Sequence, residues 1–395
     1  MSYTVVAPQD FLQAANQPII LTANKSDYQI GQFFYCEVWV TGNKDMHLDS
    51  NSISGATQLT VFQKQGEGNG SCSFDIGDTL NSVFNTTNYT APNPQVRFQK
   101  DESCYVQWFV RMGWLYYNAQ NVAVKKEEFI SSGNNFAVRA ALDSSDGNMG
   151  GYCNPYDYSN DTRIQFATRI PYNTKRGVSE PTLLSLFTPI IASSTGRKLR
   201  LEADLSFADD TYEYNYLINI YDLPTGGLYI MNVKPDVFSN HLKFSQLVAY
   251  TIRVAYFDDQ APGLLYFTQD QTFQIKKDIP NPKVVLFNNS LGSWDAIHFR
   301  KDYDTKGKPK TSTFRNTYGQ RTYNVELSKV ITFQSQYLGI EEYAWLEDLR
   351  TACAIYVDNK YYRQLDGDYN SDTSVGLFTY ELVVSPENDK NTVRF

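Results

Sequence analysis

From Gln32 to Val40 the chain alternates strictly. Phe34, Cys36, Val38 and Val40 fall on one side, and Phe33, Tyr35, Glu37 and Trp39 on the other. A period of two fits an extended strand with one face on a core, and Thr41-Gly42-Asn43-Lys44 closes it as a turn. Further strands are read at Leu59-Thr60-Val61-Phe62 and over residues 104–117, 199–207, 215–221, 228–233, 249–257 and 264–275. Short strands at regular spacing, separated by turns, predict a mainly β chain of the sandwich type. The aromatic content supports this: 29 Tyr and 24 Phe bring aromatic residues to 15%, and both favour pleated, half-buried surfaces.

The 395 residues suffice for two to four domains at roughly 100–200 residues each. The polar stretch 143–160, rich in Ser, Asp, Gly and Asn, marks one boundary, and Asp278-Ile279-Pro280-Asn281-Pro282 reads as a stiff linker at a second. The expectation is an N-terminal β-sandwich over 1–141, a β-rich middle domain over 142–282, and a C-terminal β-sandwich over 283–395. Two helices stand out. One spans residues 76–84 with Asp75 as its N-cap, and one spans 340–351 and flanks the last sandwich, with Glu341 and Glu342 in its first turn and Arg350 in its last. Residues 301–310, with Lys306, Lys308 and Lys310 interrupted by Gly307 and Pro309, read as a charged loop or hairpin.

Charge and motif content argue against several function classes. Net charge is −8, which disfavours coating nucleic acid, since duplex binding needs many cations on one face. The five Cys are widely spaced with no CxxC pair, so they read as reduced and partly buried rather than zinc ligands. No basic, apolar leader opens the sequence, and no run of about 18 apolar residues marks a membrane span. His47, His241 and His298 stand apart, and neither a nucleophile elbow nor a phosphate-binding glycine loop is present. Residues 366–372 resemble the start of a calcium loop, but Ser371 and Leu377 stand where such a loop needs Gly and Glu, so a plain polar loop is the better reading. Carboxylates are plentiful, yet no pair is singled out for glycan cleavage. The expectation is a protein without catalytic residues, cofactor or metal.

Two features remain. Trp294-Asp295 is the most distinctive dipeptide: it reads either as a subunit contact or as a core Trp with a partnered indole N–H beside a turn-forming Asp. Tyr212, Tyr214 and Tyr216 alternate and would share one face of a strand, against sugars, a neighbouring subunit or the protein's own interior.

The run Leu286-Phe287-Asn288-Asn289-Ser290-Leu291-Gly292-Ser293-Trp294-Asp295 resembles the "LxFLNxLGGWD" pattern that opens a C-terminal domain in structural proteins of tailed bacteriophages infecting Bacteroidetes, including crAss-like phages. Further matches follow in order: Thr322-Tyr323-Asn324, Lys329-Val330-Ile331-Thr332, Trp345-Leu346-Glu347-Asp348-Leu349, Ile355-Tyr356-Val357-Asp358 and residues 376–382. Pro18-Ile19-Ile20 and Ser73-Phe74-Asp75-Ile76 resemble the N-terminal sandwich of similar proteins. Ser293 departs from the pattern's Gly, and the charged 301–310 segment is unusual for it. The resemblance implies a virion structural protein of the tail hub, ring or baseplate, assembled in the host cytoplasm, with a tail-tube or distal-tail-like C-terminal fold. Its partners would be further copies of itself and other tail proteins, with Trp294, Asp295, Trp345, Tyr212, Tyr214 and Tyr216 as candidate assembly residues. A tail-associated receptor- or glycan-binding protein is the alternative.

Overall fold

The structure is a computed structural model that describes residues 3–8, 12–41, 55–85, 89–131, 135–140, 142, 149–152, 163–188, 197–222, 226–258, 261–266, 268–300, 303–365, 378–386 and 390–393. The chain is mainly β, a multidomain β-sandwich protein with few helices. The calcium-like segment 366–372 and His47 lie outside the described residues.

In the first sandwich, Tyr3–Val6, Ile20–Lys25 and Ser71–Asp75 form a three-stranded sheet. It faces a six-stranded sheet in which Phe33–Thr41 lies between Tyr105–Tyr117 and Ala56–Gln65. The alternating residues Phe34, Cys36, Val38 and Val40 point into the shared core with Phe74, Val106, Trp108 and Val110. The helix Gly77–Asn85 closes one side through Leu80 and Phe84. Asp75 Oδ1 accepts from the Gly77 N–H at 3.0 Å, so this carboxylate caps the helix start. The same oxygen accepts from the Ile19 N–H at 3.0 Å, tying the helix to the sheet edge.

A second layer system follows from two continuous apolar runs. Leu183–Thr188 and Gly227–Asn232 are buried at every position and pair with each other, and the second also pairs with Phe98–Asp101 from the first block. Unbroken apolar runs mark strands covered on both faces. Leu184, Leu186, Tyr229 and Met231 enter one core, while Leu183, Phe187, Leu228 and Ile230 enter another on the opposite face. On the first side lies a six-stranded sheet ordered Thr174–Gly177, Gln271–Lys276, Leu247–Asp258, Arg197–Phe207 and Tyr212–Asp222, with Ala261–Tyr266 paired to Leu247–Asp258. The second core is shared by all three sequence blocks: Tyr105 and Phe136, Phe187 and Leu228, Leu286, Leu291 and Trp294.

The C-terminal sheet has eight strands. Its main path runs Trp294–Phe299, Lys283–Asn288, Ile355–Val357, Lys360–Gln364, Glu381–Pro386, Gly319–Gln334 and Tyr303–Asn316, with Lys390–Val393 beside Gly319–Gln334. Residues 303–310 of the charged segment are therefore one strand of a hairpin, the second of the two forms its sequence offered. Gly and Pro lower its propensity, but a continuous antiparallel register with Gly319–Gln334 overrides it. The helix expected over 340–351 is two short ones, Ile340–Trp345 and Glu347–Thr351, meeting at Leu346, whose ψ of −1° interrupts the helical path. The Gly339 N–H donates to Glu342 Oε2 at 3.1 Å, the backbone half of a capping box.

Candidate assembly determinants

The junction of the three blocks is built from the residues the sequence singled out. Trp294 and Asp295 follow a tight turn in which Asn289 Oδ1 accepts from the Leu291 and Ser293 N–H groups at 3.1 and 2.9 Å. Gly292 occupies a φ of 74°, and a Cβ there would come within 3.0 Å of Val138 Cβ in the first block, so the turn needs glycine twice over. Trp294 is fully buried, and its indole N–H donates to Asp101 Oδ2 at 2.7 Å, 193 residues away. Asp101 Oδ1 accepts from the N–H and hydroxyl of Ser103 and from the Cys104 N–H. Asp101 and Glu102 line an open cleft, but all of these bonds commit Asp101 to holding its loop and the Trp.

Asp295 is also fully buried. Its Oδ2 accepts from the Trp345 indole at 2.8 Å and its Oδ1 from the Thr168 hydroxyl at 2.7 Å. Burial pushes this carboxyl up to about 7 against the opposing pull of those two hydrogen bonds. The folded state thus holds a proton that an unfolded chain releases near pH 4. Stability is fully present below about pH 4 and falls as pH rises to about 7, by on the order of 4 kcal/mol. Asp295→Asn keeps an acceptor for Trp345 and lets the Thr168 hydroxyl turn to accept. Urea midpoints at pH 5 and pH 8 are expected to converge in this variant and to differ in the parent.

Sequence reasoning missed a second buried group. Arg176 and Glu180 are each 1% exposed and form an ion pair at 3.1 Å. Arg176 also donates to the Ala296 carbonyl at 3.2 Å and sits 5.0 Å from the centre of the Trp345 ring. Glu180 accepts from the Gly177 and His298 N–H groups at 3.0 and 3.1 Å and lies 3.4 Å from Lys276 Nζ. Burial alone would raise the Glu180 carboxyl, but Arg176, Lys276 and His298 with the Gly177 N–H outweigh it and hold it at about 2. Burial keeps the His298 imidazole below its ordinary value. The only local signal was an Arg and a Glu four residues apart beside an apolar run. Lys175 N–H to Glu342, Asn289 to the Ala167 carbonyl and Arg169 to Ser290 complete a polar seam between segment 163–180 and the C-terminal sheet.

The three tyrosines do not share a face. Tyr212 and Tyr214 are 61% and 69% exposed and stack at 6.4 Å, whereas Tyr216 turns inward against Phe238 and His241. The cause is a bulge at Asn215, whose φ of 55° adds a residue to the strand. Its N–H donates to Asp204 Oδ1 at 2.9 Å and its side-chain oxygen accepts from Arg253 at 3.0 Å. A second irregularity lies between Leu217 and Asn219, and Leu217 and Ile220 are exposed as well. Among the described residues this strand is an edge, paired on one side with Arg197–Phe207.

The other projecting element is the hairpin of Tyr303–Asn316 and Gly319–Gln334, with Tyr318 84% exposed in its two-residue turn. Fourteen residues of strand reach about 45 Å. Past Asn324, the last position paired to Lys390–Val393, the hairpin is two strands wide among the described residues.

Among the described residues, no three His, Cys, Asp or Glu side chains gather as a metal site, and no helix is long and apolar enough to cross a membrane. Cys36, Cys72 and Cys104 are buried free thiols, and Cys353 is an exposed one. His241 Nε2 contacts Glu213 at 2.7 Å.

No family model and no curated protein matches the chain. Among solved structures, it is similar to trypsin-activated alpha-2-macroglobulin of Escherichia coli at 7% identity and a TM-score of 0.21, over 99% of this chain and 32% of that one. The native conformation of the E. coli protein gives 7% and 0.21 over 100% and 31%. The chain spans about a third of the length of these proteins, and likenesses this distant carry no argument about fold or function.

Proposed function

We propose that this chain is a virion structural subunit of a bacteriophage tail, part of a ring at the hub or baseplate, acting through protein–protein assembly and not as an enzyme. The observation that carries the reading is the hairpin arm. The base of this hairpin joins the C-terminal sheet and core through Ile331 and Phe333, but its end carries an exposed Tyr at the turn, and such a projection suits a contact with a neighbour. The ordered C-terminal motif series supports the phage assignment. The interlocked polar seam supports a rigid subunit, with Trp294, Asp295 and Trp345 fixing the shape that neighbours meet.

Antibodies to the chain, gold-labelled on intact particles from a lysate that encodes it, test the placement. Label at one ring or collar of the tail is the expected result. Label confined to distal appendages would instead favour a receptor- or glycan-binding role, for which the exposed Tyr212–Tyr214 pair offers a stacking surface. Absence of label from both intact and denatured particles would overturn the virion reading.

A further inference from the structure

We propose that the hairpin arm of one copy docks on the exposed Tyr212–Asp222 edge of the next copy. This deepens the assembly reading and rests on it.

Charge is the first argument. Between residues 303 and 334 the arm carries six Lys or Arg against two Asp or Glu, in a chain whose net charge is −8. The edge strand Tyr212–Asp222 and the turn before it, from residue 209, carry four Asp or Glu and no Lys or Arg. Lys243 from outside that stretch pairs with Asp209, and His241 meets Glu213. Asp210 and Asp222 stay unpaired among the described residues, so the edge remains acidic. Lys306 is exposed on the arm, where it pairs with Asp304 at 3.1 Å. Opposite potentials steer encounter and fix register between surfaces that meet.

The second argument is what each surface lacks at home. Among the described residues the edge strand has no second strand partner, and Tyr212, Tyr214, Leu217 and Ile220 are exposed on it. An unprotected, apolar edge is a template for association. Its aromatic pair and the arm's Tyr318 are residue types that dominate interface energies. Arm and edge belong to different sheets, so the contact is head-to-tail: each copy gives an arm and receives one. Repetition of such a contact closes a ring or extends a filament.

Sedimentation velocity on the full chain at low and high salt tests this. The wild-type chain is expected to self-associate, less so at high salt because the opposed charges are screened. The arm variant, Lys306→Glu with Lys308→Glu and Lys310→Glu, and the edge variant, Tyr212→Ser with Tyr214→Ser, are each expected to associate at least ~30-fold more weakly. All five positions lie on projecting or edge strands, and circular dichroism confirms that each variant folds. Mixing the two variants is the decisive step: one intact arm and one intact edge remain between them, so one-to-one pairs and nothing larger are expected. Variants that assemble as the wild type does would overturn the arm–edge contact while leaving a tail role standing. A wild-type chain that stays monomeric at every concentration would also overturn the contact, and the particle labelling then decides the tail role separately.

Discussion

Glu180→Ala is expected to destabilise the protein by about 3–5 kcal/mol, because breaking one side of a buried ion pair strands the other charge. Arg176 is 1% exposed, and with Glu180 gone its guanidinium keeps, among the described residues, the Ala296 carbonyl and the Trp345 ring. The Gly177 and His298 N–H groups lose their acceptor at the same time. Arg176→Met with Glu180→Leu removes both charges and is expected to recover much of the loss, which separates the cost of a stranded charge from the worth of the pair. The pH dependence has a definite sign. The folded Glu180 carboxyl sits at about 2 against an ordinary 4.5, so its contribution of about 3 kcal/mol is present above pH 4.5 and is lost as pH falls towards 2. Denaturant midpoints of the parent, the single and the double variant between pH 3 and pH 7 check both points. A single variant as stable as the parent would refute the stranded-charge argument.

Trp294→Ala is the second large effect, with an expected loss of about 3–5 kcal/mol from the cavity alone. Trp294 is fully buried in the core that joins all three blocks, against Tyr356 at 5.9 Å, and its N–H holds Asp101. The substitution removes packing and leaves Asp101 Oδ2 without its donor. Trp294→Phe keeps most of the apolar volume and isolates the hydrogen bond, so its cost is expected near 1–3 kcal/mol. Equal costs for the two variants, measured by urea unfolding, would mean that the indole N–H, not the ring volume, dominates.

The parts of this fold legible in the sequence are those where one strand meets one core. Phe34, Cys36, Val38 and Val40 declared their inward face by alternation, and the Asp75 cap preceded its helix as expected. The Trp294-Asp295 pair was conspicuous, but its partners Asp101, Thr168 and Trp345 were not, because hydrogen bonds across 50 to 193 residues leave no local periodicity. The bulge at Asn215 reversed the facing of Tyr216, since one extra residue changes the parity of everything after it. The arm was left open between loop and hairpin, because Lys, Gly and Pro disfavour a strand and only pairing with Gly319–Gln334 makes the segment extended. What the sequence conveyed least is the central sheet Leu183–Thr188 and Gly227–Asn232, whose two-sided burial depends on elements from all three blocks.

The central proposal is that the chain is built into phage particles in defined number, and quantitative mass spectrometry of purified, fully denatured particles from an encoding lysate tests it most directly. The account predicts the chain at a fixed small copy number per particle, the same from preparation to preparation, as a ring requires. Absence of its peptides from such particles, or a copy number that varies between preparations, would contradict the account.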